Sequence, residues 1–439
     1  MGYKEMILQG LLLQGFGKTS VKREMGPKMS DQPQEITQDM VVVGGGLAGL
    51  TMALTLKRAF SGALKVTLVD PHGLDPLPVS GRAYALAAGA CKMFEALGVW
   101  DKIEAEAQAI ERMVITDSRL AEPVRPVFLT FDQSPQSDQP YAYMIEQDHL
   151  LRVLQEALRL TDLTVVKTRA GHVETLPHAA VVALEDGQSV TTKVVIACDG
   201  ARSPLRQAAG IGMVMHAYDQ SGIVATLGLE RDHHGVAEEH FLPSGPFATL
   251  PLKGKRCSIV WTERNDRVKH YVSLSQEEFV AEIEHRFGLR YGTITLLDQP
   301  RAYPLRVGIA RHFVKPRLAL VGDAAHVVHP ISGQGLNLGL RDVAALAETL
   351  IQALRLGLDA GRLQVLQEYE TARRFDTLVM AGLTDTLNRL FSNDLTPIRL
   401  MRDLGLGVVD RMPALKDLLI REAAIRNPAA PKLMQGIIP

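Results

Sequence analysis

A glycine-rich turn between a short apolar run and a helical run constrains this chain more than any other feature. The apolar run Met40–Val43 leads into Gly-Gly-Gly-Leu-Ala-Gly at 44–49, and a helical run follows to Phe60. A second β-rich run at 64–69 ends in Asp70. Strand, helix and strand in this order predict a βαβ unit with parallel strands, and therefore an α/β fold.

The spacing of the glycines predicts that this turn binds a dinucleotide. Gly44 makes the tight turn, Gly46 lets a pyrophosphate approach the backbone, and Gly49 allows the helix to pack closely against the strand. Backbone N–H groups and the positive end of the helix then hold the diphosphate. Asp70 lies 21 residues after Gly49, where a carboxylate can accept hydrogen bonds from the adenosine ribose. A structural glycine turn is the alternative, and the motif alone does not separate FAD from NAD.

A second turn, which contains Asp199 and Gly200, follows an apolar strand-like run at 191–197. Gly200 permits the backbone to turn, and Ser203 can cap the helix that follows. Asp199 and Arg206 can order the loop electrostatically. The alternative is an ordinary strand-to-helix turn with a surface arginine.

A third turn combines an acid at the end of a strand with glycines that open a helix. An apolar run at 317–321 leads into Gly-Asp, and Gly-Gln-Gly at 333–335 precedes a long helical stripe. The acid can hydrogen-bond a ribityl hydroxyl. The glycine turn points N–H groups and a positive dipole at one spot, which suits the isoalloxazine region that becomes negative on reduction. The residues predicted to contact a flavin here are Gly322, Asp323, Gly333, Gln334, Gly335 and Asn337.

Two histidines, His326 and His329, stand between these glycines. No carboxylate or cysteine lies at ligand spacing nearby, so we predict no metal site. Packing roles or positions beside the flavin are expected for both.

Charge and cysteine usage argue against several classes of partner. The 48 Lys and Arg residues nearly balance the 49 Asp and Glu residues, and no basic block is interleaved with aromatics, so no nucleic-acid partner is expected. Cys91, Cys198 and Cys257 form no CxxC pair, which fits a reducing compartment and small buried apolar roles. No window approaches the roughly 18 uninterrupted apolar residues of a membrane-spanning helix. We expect a cytoplasmic protein, either soluble or peripheral on the inner face of the membrane.

At these three turns the sequence resembles the class A flavoprotein monooxygenases of the p-hydroxybenzoate hydroxylase fold. The resemblance covers about residues 40–350 and rests on three ordered motifs with matching spacing. It implies that Arg82 reaches the FAD phosphates and that Gln147 lies near the adenosine part of FAD. It also implies that the segment of Asp199 and Gly200 serves both FAD and the transient pyridine nucleotide.

Within that family the sequence is most similar to the ubiquinone-biosynthesis hydroxylases, in particular the 2-octaprenyl-6-methoxyphenol hydroxylase type. The stretches that carry this similarity are 81–100, 245–251, 256–261 and 329–342. It implies that NAD(P)H reduces the flavin, that O2 forms a C4a-hydroperoxyflavin, and that the ring of a polyprenylated phenol is hydroxylated. We expect His329, Pro330 and Gly333 to shape the flavin edge that faces the substrate. Tyr218, His216 and His240 are candidate bases by location alone, and structural roles are expected for them.

The resemblance predicts an FAD-binding Rossmann-like domain with an inserted antiparallel-sheet substrate domain and a helical C-terminus. Between 213 and 303 the chain alternates short β-like runs with turns, as an antiparallel sheet does. The predicted division of the chain is a disordered extension at 1–39, an FAD-binding domain at 40–112, 146–212 and 304–355, a substrate domain at 113–145 and 213–303, and a helical C-terminal region at 356–439.

The sequence leaves open which membrane, complex or subunit the protein contacts, and which reaction it catalyses. Apolar and basic residues alternate from Leu390 to Ile420, as they do in a helix lying on a bilayer; a helix packed on the core or on a partner subunit is the alternative. Contact with a quinone-biosynthesis complex and a homo-oligomer are further options. The rival functions are a hydroxylase of a small soluble aromatic, an FAD-dependent isoprenoid reductase or epoxidase, and a flavin-free scaffold.

Overall fold

Parallel strands around the glycine turn form a first sheet. The structure, a computed structural model, describes residues 38–117, 127–132, 140, 142–288, 290–329, 333–391 and 430–439. The parallel strands lie in the order β19 (Leu318–Leu320), β11 (Ser189–Ala197), β1 (Gln38–Val43), β2 (Val66–Val69) and β8 (Thr164–Val166). Antiparallel strands extend this sheet, with β18 (Val314–Lys315) beside β19 and, beyond β11, β10 (Ala180–Leu184) and β9 (Ala170–Thr175). The carboxyl ends of the parallel strands therefore meet at one edge, where ligands bind in open α/β sheets.

A second sheet is mostly antiparallel. Its strands lie in the order β20 (His326–Val327), β17 (Arg301–Ala310), β12 (Met213–Leu229), β15 (Arg256–Arg264), β14 (Gly245–Leu252), β13 (Val236–Leu242), β5 (Arg112–Asp117) and β6 (Val127–Asp132), with β16 (Ile294–Leu296) also paired to β12. The pairing of β13 with β5 is parallel. The register of β12 against β17 shifts between Ala217 and Ser221, and such bulges re-aim side chains.

A small third sheet lies against one face of the second. It consists of β3 (Ala83–Ala87), β7 (Ala142–Glu146) and β4 (Gln108–Ala109). Met144 on β7 and Ala237 on β13 belong to one buried apolar cluster, which Ala83 and Ala85 on β3 complete. The strand that follows Arg82 is therefore held against the second sheet.

Helices cover the first sheet and one face of the second. Their bounds are α1 (Leu47–Ala59), α2 (Ala88–Ala96), α3 (Trp100–Glu104), α4 (Gln147–Arg159), α5 (Pro204–Ala208), α6 (Asn265–Val272), α7 (Gln276–Phe287), α8 (Gln334–Arg355) and α9 (Leu363–Phe391), with 3-10 turns at Gly322–Ala324 and Lys432–Gln435. Helix α1 contacts both α4 and α8, and its Leu50 and Leu54 are fully buried. The predicted apolar stripe of α8 is confirmed, because Leu340, Val343 and Leu350 are fully buried. Among the described helices, none has the length and apolar content that crossing a bilayer requires.

The structure confirms the predicted fold class, with a βαβ unit at its centre and a helical layer after Gly333. The boundaries of the predicted domains stay predictions. The boundary between 303 and 304 falls inside β17, which belongs to the second sheet as far as Ala310. Most of the predicted extension at 1–39, and the segment from Leu390 to Ile420 beyond the end of α9, lie outside the described residues.

Candidate functional site

Close backbone packing requires two glycines of the turn after β1. Gly44 has φ 107°, and a Cβ atom there would lie 2.4 Å from the carbonyl oxygen of Cys198, just after β11. At Gly49, on α1, a Cβ atom would lie 1.9 Å from the carbonyl oxygen of Gly44. A larger residue at either position would push the helix or the neighbouring strand away, so these glycines fix the start of α1 against the sheet.

Gly46 is different, because its side-chain position faces open space. Its φ of −76° suits any residue, and no atom of the described chain lies within 4 Å of where its Cβ would be. The first turn of α1 contains no acid, and Gly46 offers no side chain to cap it. The N–H groups and positive dipole at this helix end can therefore hold an anion such as a diphosphate.

Asp70 joins the turn after β2 to the glycine turn. Its Oδ2 accepts a hydrogen bond from the backbone N–H of Gly45 at 2.7 Å. Its Oδ1 accepts from the N–H groups of His72 and Gly73 at 2.8 and 3.1 Å. A carboxylate has about four acceptor sites, so one stays available for the ribose contact predicted from the sequence.

Asp199 places a carboxylate oxygen without a partner at the same edge of the sheet. Its Oδ2 accepts from the N–H of Leu205 at 3.2 Å, whereas its buried Oδ1 has no hydrogen-bond partner in the described part of the chain. Burial raises the pKa of this carboxyl group. Gly200 has φ 82°, and its Cβ position is open for 4 Å around. An unsatisfied buried acceptor beside open space suits a ligand that brings a donor.

Arg206 links the second turn to the third. Its side chain is buried, Nη1 donates to the carbonyl oxygen of Ala324 at 2.9 Å, and Nη2 donates to that of Ala201 at 3.0 Å. The surface-arginine alternative is therefore wrong. The predicted cap is confirmed, because Ser203 Oγ accepts from the N–H of Arg206 at 2.9 Å.

Arg82, Asp323 and Gln147 meet beside β3. The guanidinium of Arg82 stacks over the ring of Tyr303 on β17, 4.1 Å from its centroid. Asp323 is exposed, yet desolvation by the surrounding protein raises the pKa of its carboxyl group, although the charges of His326 and Arg82 oppose this. Gln147 begins α4, donates from its backbone N–H to the Arg82 carbonyl at 2.8 Å, and accepts from Tyr84 Oη at 3.0 Å. Arg82 and Asp323 are thus close enough to interact through their charges, and Gln147 is joined to Arg82 through the backbone. Their contacts with a cofactor stay predictions.

The start of α8 has the geometry predicted for a flavin edge. Gly333 caps the helix in the left-handed conformation, with φ 64° and ψ 22°. Gln334 and Gly335 form the first turn, which contains no acid. The backbone N–H groups of this turn can therefore face a developing negative charge. Pro330, predicted beside them, lies outside the described residues.

Asn337 fixes β3 to α8 through its side-chain amide. Its Oδ1 accepts from the N–H of Ala87 at 3.0 Å, and its Nδ2 donates to the carbonyl of Ala85 at 2.8 Å. The amide therefore holds the strand that follows Arg82, and its direct contact with a cofactor stays a prediction.

A buried ionic network behind the third turn was missed from the sequence. Asp342 on α8 accepts from His326, from the N–H of Gly322 at 3.1 Å, and from Arg373 Nε on α9 at 2.8 Å. Burial alone would raise the pKa of Asp342, but His326 and Arg373 outweigh burial and lower it. The sequence does contain a signal for this network, because Asp342 is an acid within the apolar stripe of α8.

His329 lies in a polar cluster with Tyr218 and Asp385. Tyr218 Oη donates to Asp385 Oδ1 at 2.6 Å, and the rings of His329 and Tyr218 meet edge to face at 5.0 Å. His216 contacts the same tyrosine at 5.1 Å. Burial lowers the pKa of His329 to about 4, so its ring is neutral at pH 7.

His240 lies apart from this cluster. It pairs across the sheet with Phe247, which belongs to the buried cluster between the second sheet and its helices. Its Nδ1 shares a hydrogen bond with Thr116 Oγ1 at 2.6 Å. Of the three candidate bases, the structure therefore brings Tyr218 and His216 next to His329 and leaves His240 on the opposite face of the sheet.

A family model agrees with this site. Residues 37–378 match the model described as FAD binding domain, which is more than half of the chain. The chain belongs to the FAD binding domain family. The predicted family and cofactor are confirmed, and the protein is an FAD-dependent monooxygenase.

Relatives in this FAD binding domain family match the chain over nearly its full length. It is 41% identical to ubiquinone hydroxylase UbiL of Rhodospirillum rubrum, over 97% of this chain and 99% of the relative. It is 34% identical to 3-demethoxyubiquinol 3-hydroxylase of Escherichia coli, over 88% and 97% of the two chains. Its fold is similar to that of p-nitrophenol 4-monooxygenase PnpA from Pseudomonas putida, with a TM-score of 0.71 at 22% identity over 89% and 97%. At that identity the likeness concerns the fold alone.

The described residues fit the FAD of this family. The space in front of Gly46 and Gly200 is open, although both glycines lie at the edge of a packed sheet. Asp199, whose buried Oδ1 has no hydrogen-bond partner among the described residues, follows β11 at the same edge. Individual contacts between residues and cofactor stay predictions.

Proposed function

We propose that this protein hydroxylates the aromatic ring of a polyprenylated phenol in ubiquinone biosynthesis, with FAD as cofactor, NAD(P)H as electron donor and O2 as co-substrate. The observation that carries the proposal is the full-length similarity to ubiquinone hydroxylase UbiL. That match spans the flavin side and the second sheet alike, so it includes the residues that would contact a substrate.

One face of the second sheet offers an apolar lining for an aromatic ring. Val224, Val260 and Ala248 lie side by side on β12, β15 and β14, and all three are half-buried. Leu250, two residues from Ala248, packs with Ala85 on β3, so this row lies on the face turned towards the third sheet. A half-buried apolar row suits a ring held next to a flavin.

The chain positions the cofactor and keeps water away from it. When bound, FAD accepts electrons from NAD(P)H and activates O2 for transfer of one oxygen atom. The start of α1 would hold the diphosphate and Asp323 a ribityl hydroxyl. His329, neutral and buried, and Gly333 would shape the edge that faces the substrate. A dry edge matters, because water there favours loss of hydrogen peroxide over transfer to the ring.

The membrane is the place where a polyprenyl tail resides, so we propose that the protein binds peripherally to its inner, cytoplasmic face. Helix α9 supports this, because Phe375, Leu378 and Val379 are exposed near one another along it.

The test of membrane binding is flotation with anionic lipid vesicles at low salt. We expect the wild type to float and a Phe375→Ser, Leu378→Ser variant to float less, with Leu356→Ser at the end of α8 as a matched control. Full recovery of the wild type in the soluble fraction would refute the membrane proposal.

Mass spectrometry of the quinone-pathway lipids tests the function in cells that lack this protein. We expect an under-hydroxylated polyprenyl phenol to accumulate during aerobic growth, and its structure identifies the ring position. The purified protein should consume O2 with that lipid and NAD(P)H. Unchanged lipids would contradict the proposal and would favour a soluble aromatic compound as the substrate.

A further inference from the structure

Glu239 is a buried acid at one end of the apolar row. It lies on β13, is 6% exposed, and pairs across the sheet with Ala248 on β14 and Ile115 on β5. Directly paired residues point to the same face of a sheet. Glu239 therefore continues the row formed by Ala248, Val260 and Val224.

The face that carries Glu239 turns towards the flavin side of the molecule. Ala237, two residues earlier and so on the same face, packs in one cluster with Met144 and Ala85. Ala85 in turn borders the start of α8, since a Cβ atom at Gly333 would lie 3.7 Å from its Cβ. Glu239 thus lies on the face of the sheet that overlooks the predicted flavin edge.

The carboxyl group of Glu239 has no polar partner among the described residues. Its neighbour Glu238, on the opposite face, forms an ion pair with Arg290. For Glu239 neither a hydrogen bond nor an ion pair occurs within the described part of the chain, and burial is the sole cause that raises its pKa to about 7. A buried acid with no partner among the described residues is costly, so its presence beside a half-buried apolar row points to a ligand that brings a donor.

We propose that Glu239 accepts a hydrogen bond from the ring hydroxyl of the phenolic substrate. The inference rests on the function proposed above. Apart from this hydroxyl, a prenylated phenol offers chiefly apolar surface, which the row of Val224, Val260 and Ala248 can cover. One polar contact at the end of an apolar row fixes the rotation of the ring in its plane. Glu239 therefore determines which ring carbon faces the flavin.

The same contact makes Glu239 the acceptor of the hydroxyl proton. A free phenol has a pKa near 10, so the proton stays on the substrate until the ring reacts. As the ring carbon forms its bond to one oxygen atom of O2, the O–O bond breaks, and the other oxygen atom leaves as water with the two electrons that NAD(P)H supplies. The O–H bond of the substrate breaks in the same step, and its proton passes to a carboxylate oxygen of Glu239. The electron pair of that bond remains on the substrate oxygen. Glu239 returns this proton to the substrate oxygen when the ring carbon loses its own proton and the ring becomes aromatic again. No oxidant beyond O2 and no reductant beyond NAD(P)H is required.

Binding to the oxidised holoenzyme tests this contact without catalysis. The probes are a 2-methoxyphenol with a short prenyl chain at position 6 and the same compound with its ring hydroxyl methylated. Each is titrated while the absorbance of bound FAD is followed. We expect the wild type to bind the phenol at least about 10-fold more tightly than the ether, as a charge-assisted hydrogen bond predicts. In Glu239→Gln the ratio should fall, and in Glu239→Leu it should approach 1.

The matched control is Glu238→Gln, one residue along the strand on the opposite face, which should keep the wild-type ratio and FAD content. Equal wild-type affinity for phenol and ether, or a wild-type ratio in both Glu239 variants, would overturn the inference. In either case continued hydroxylation of the prenylated phenol would leave the proposed function intact. A wild-type holoenzyme that retains FAD but neither binds nor hydroxylates any prenylated phenol would refute the proposed function and this inference with it.

Discussion

Asp342 accepts a hydrogen bond from His326, which lies three residues after Asp323. The other contacts of its carboxylate reach the backbone of Gly322 and the side chain of Arg373. One buried acid therefore joins the third turn, α8 and α9. The position of Asp323 depends on a helix that the sequence motifs do not include.

Asp342→Asn should weaken both the fold and the flavin site. Removing one partner of a buried ion pair leaves the other charge uncompensated and typically costs about 3–5 kcal/mol. We expect a loss of about 3 kcal/mol in the free energy of unfolding, measured in urea, and weaker FAD binding by fluorescence titration. Glu348→Gln on the same helix is the control, because its ion pair with Lys432 spans 3.6 Å at the surface and should contribute under about 1 kcal/mol. Equal effects of the two substitutions would contradict this role.

Gly46→Ala and Gly49→Ala should separate binding from folding. At Gly49 the new methyl group meets the Gly44 carbonyl, so the apoprotein should lose about 3 kcal/mol or more of stability. At Gly46 the methyl group enters open space, so the apoprotein should keep its stability. FAD should then bind about 10- to 100-fold more weakly, as loss of hydrogen bonds to a charged diphosphate predicts.

The readouts for this pair are urea unfolding of the apoproteins and FAD titration. Gly382→Ala, in the interior of α9 with open space around its Cβ position, is the control and should stabilise the protein by up to about 1 kcal/mol. A loss of apoprotein stability in Gly46→Ala as large as that in Gly49→Ala would contradict the conclusion that the space in front of Gly46 is open for a diphosphate.

Local motifs account for what the sequence predicts correctly. The glycine turn, the acids after the parallel strands and the cap by Ser203 each depend on residues a few positions apart, and periodicity places them at strand ends. Long-range partners carry no such signal. Arg206 meets Ala324 across 118 positions, and nothing near Arg206 in sequence marks it as buried.

Strand register explains why the acid–base candidates were incomplete. Side chains alternate between the faces of a strand, so neighbouring residues on β13 point to opposite sides. His240 therefore faces the helices, whereas Glu239 faces the third sheet. Two adjacent acids in an apolar strand are a usable signal, since one of them must point inward, but only the pairing of β13 with β14 and β5 decides which.

Arg82→Ala and Asp323→Ala should each weaken FAD retention while the fold persists. Asp323 follows β19 at the edge where the parallel strands end, and Arg82, which acts on its charge, is held in place by stacking on Tyr303. Loss of one charged hydrogen bond predicts binding weaker by about 10- to 100-fold. The measurement is the FAD-to-protein ratio after extensive dialysis, with Arg58→Ala at the exposed far end of α1 as control. Full flavin occupancy in either variant would show that its side chain does not hold the cofactor.

Glu239 should make the protein less stable as the pH rises. Burial raises the pKa of its carboxyl group from 4.5 to about 7, so the folded state resists ionisation that the unfolded state permits. The stability linked to the protonated form is fully present below pH 4.5 and is lost progressively as the pH rises through about 7.

Glu239→Gln removes this linkage and keeps the shape of the side chain. We expect the variant to match the wild type near pH 4 and to exceed its free energy of unfolding by about 3 kcal/mol at pH 8, which corresponds to the difference in pKa. Urea unfolding of both proteins at the two pH values measures it, with Glu238→Gln showing no comparable gain. Parallel pH profiles for wild type and Glu239→Gln would mean that the carboxyl group is already paired in the folded protein, and the case for a ligand-facing acid would fail.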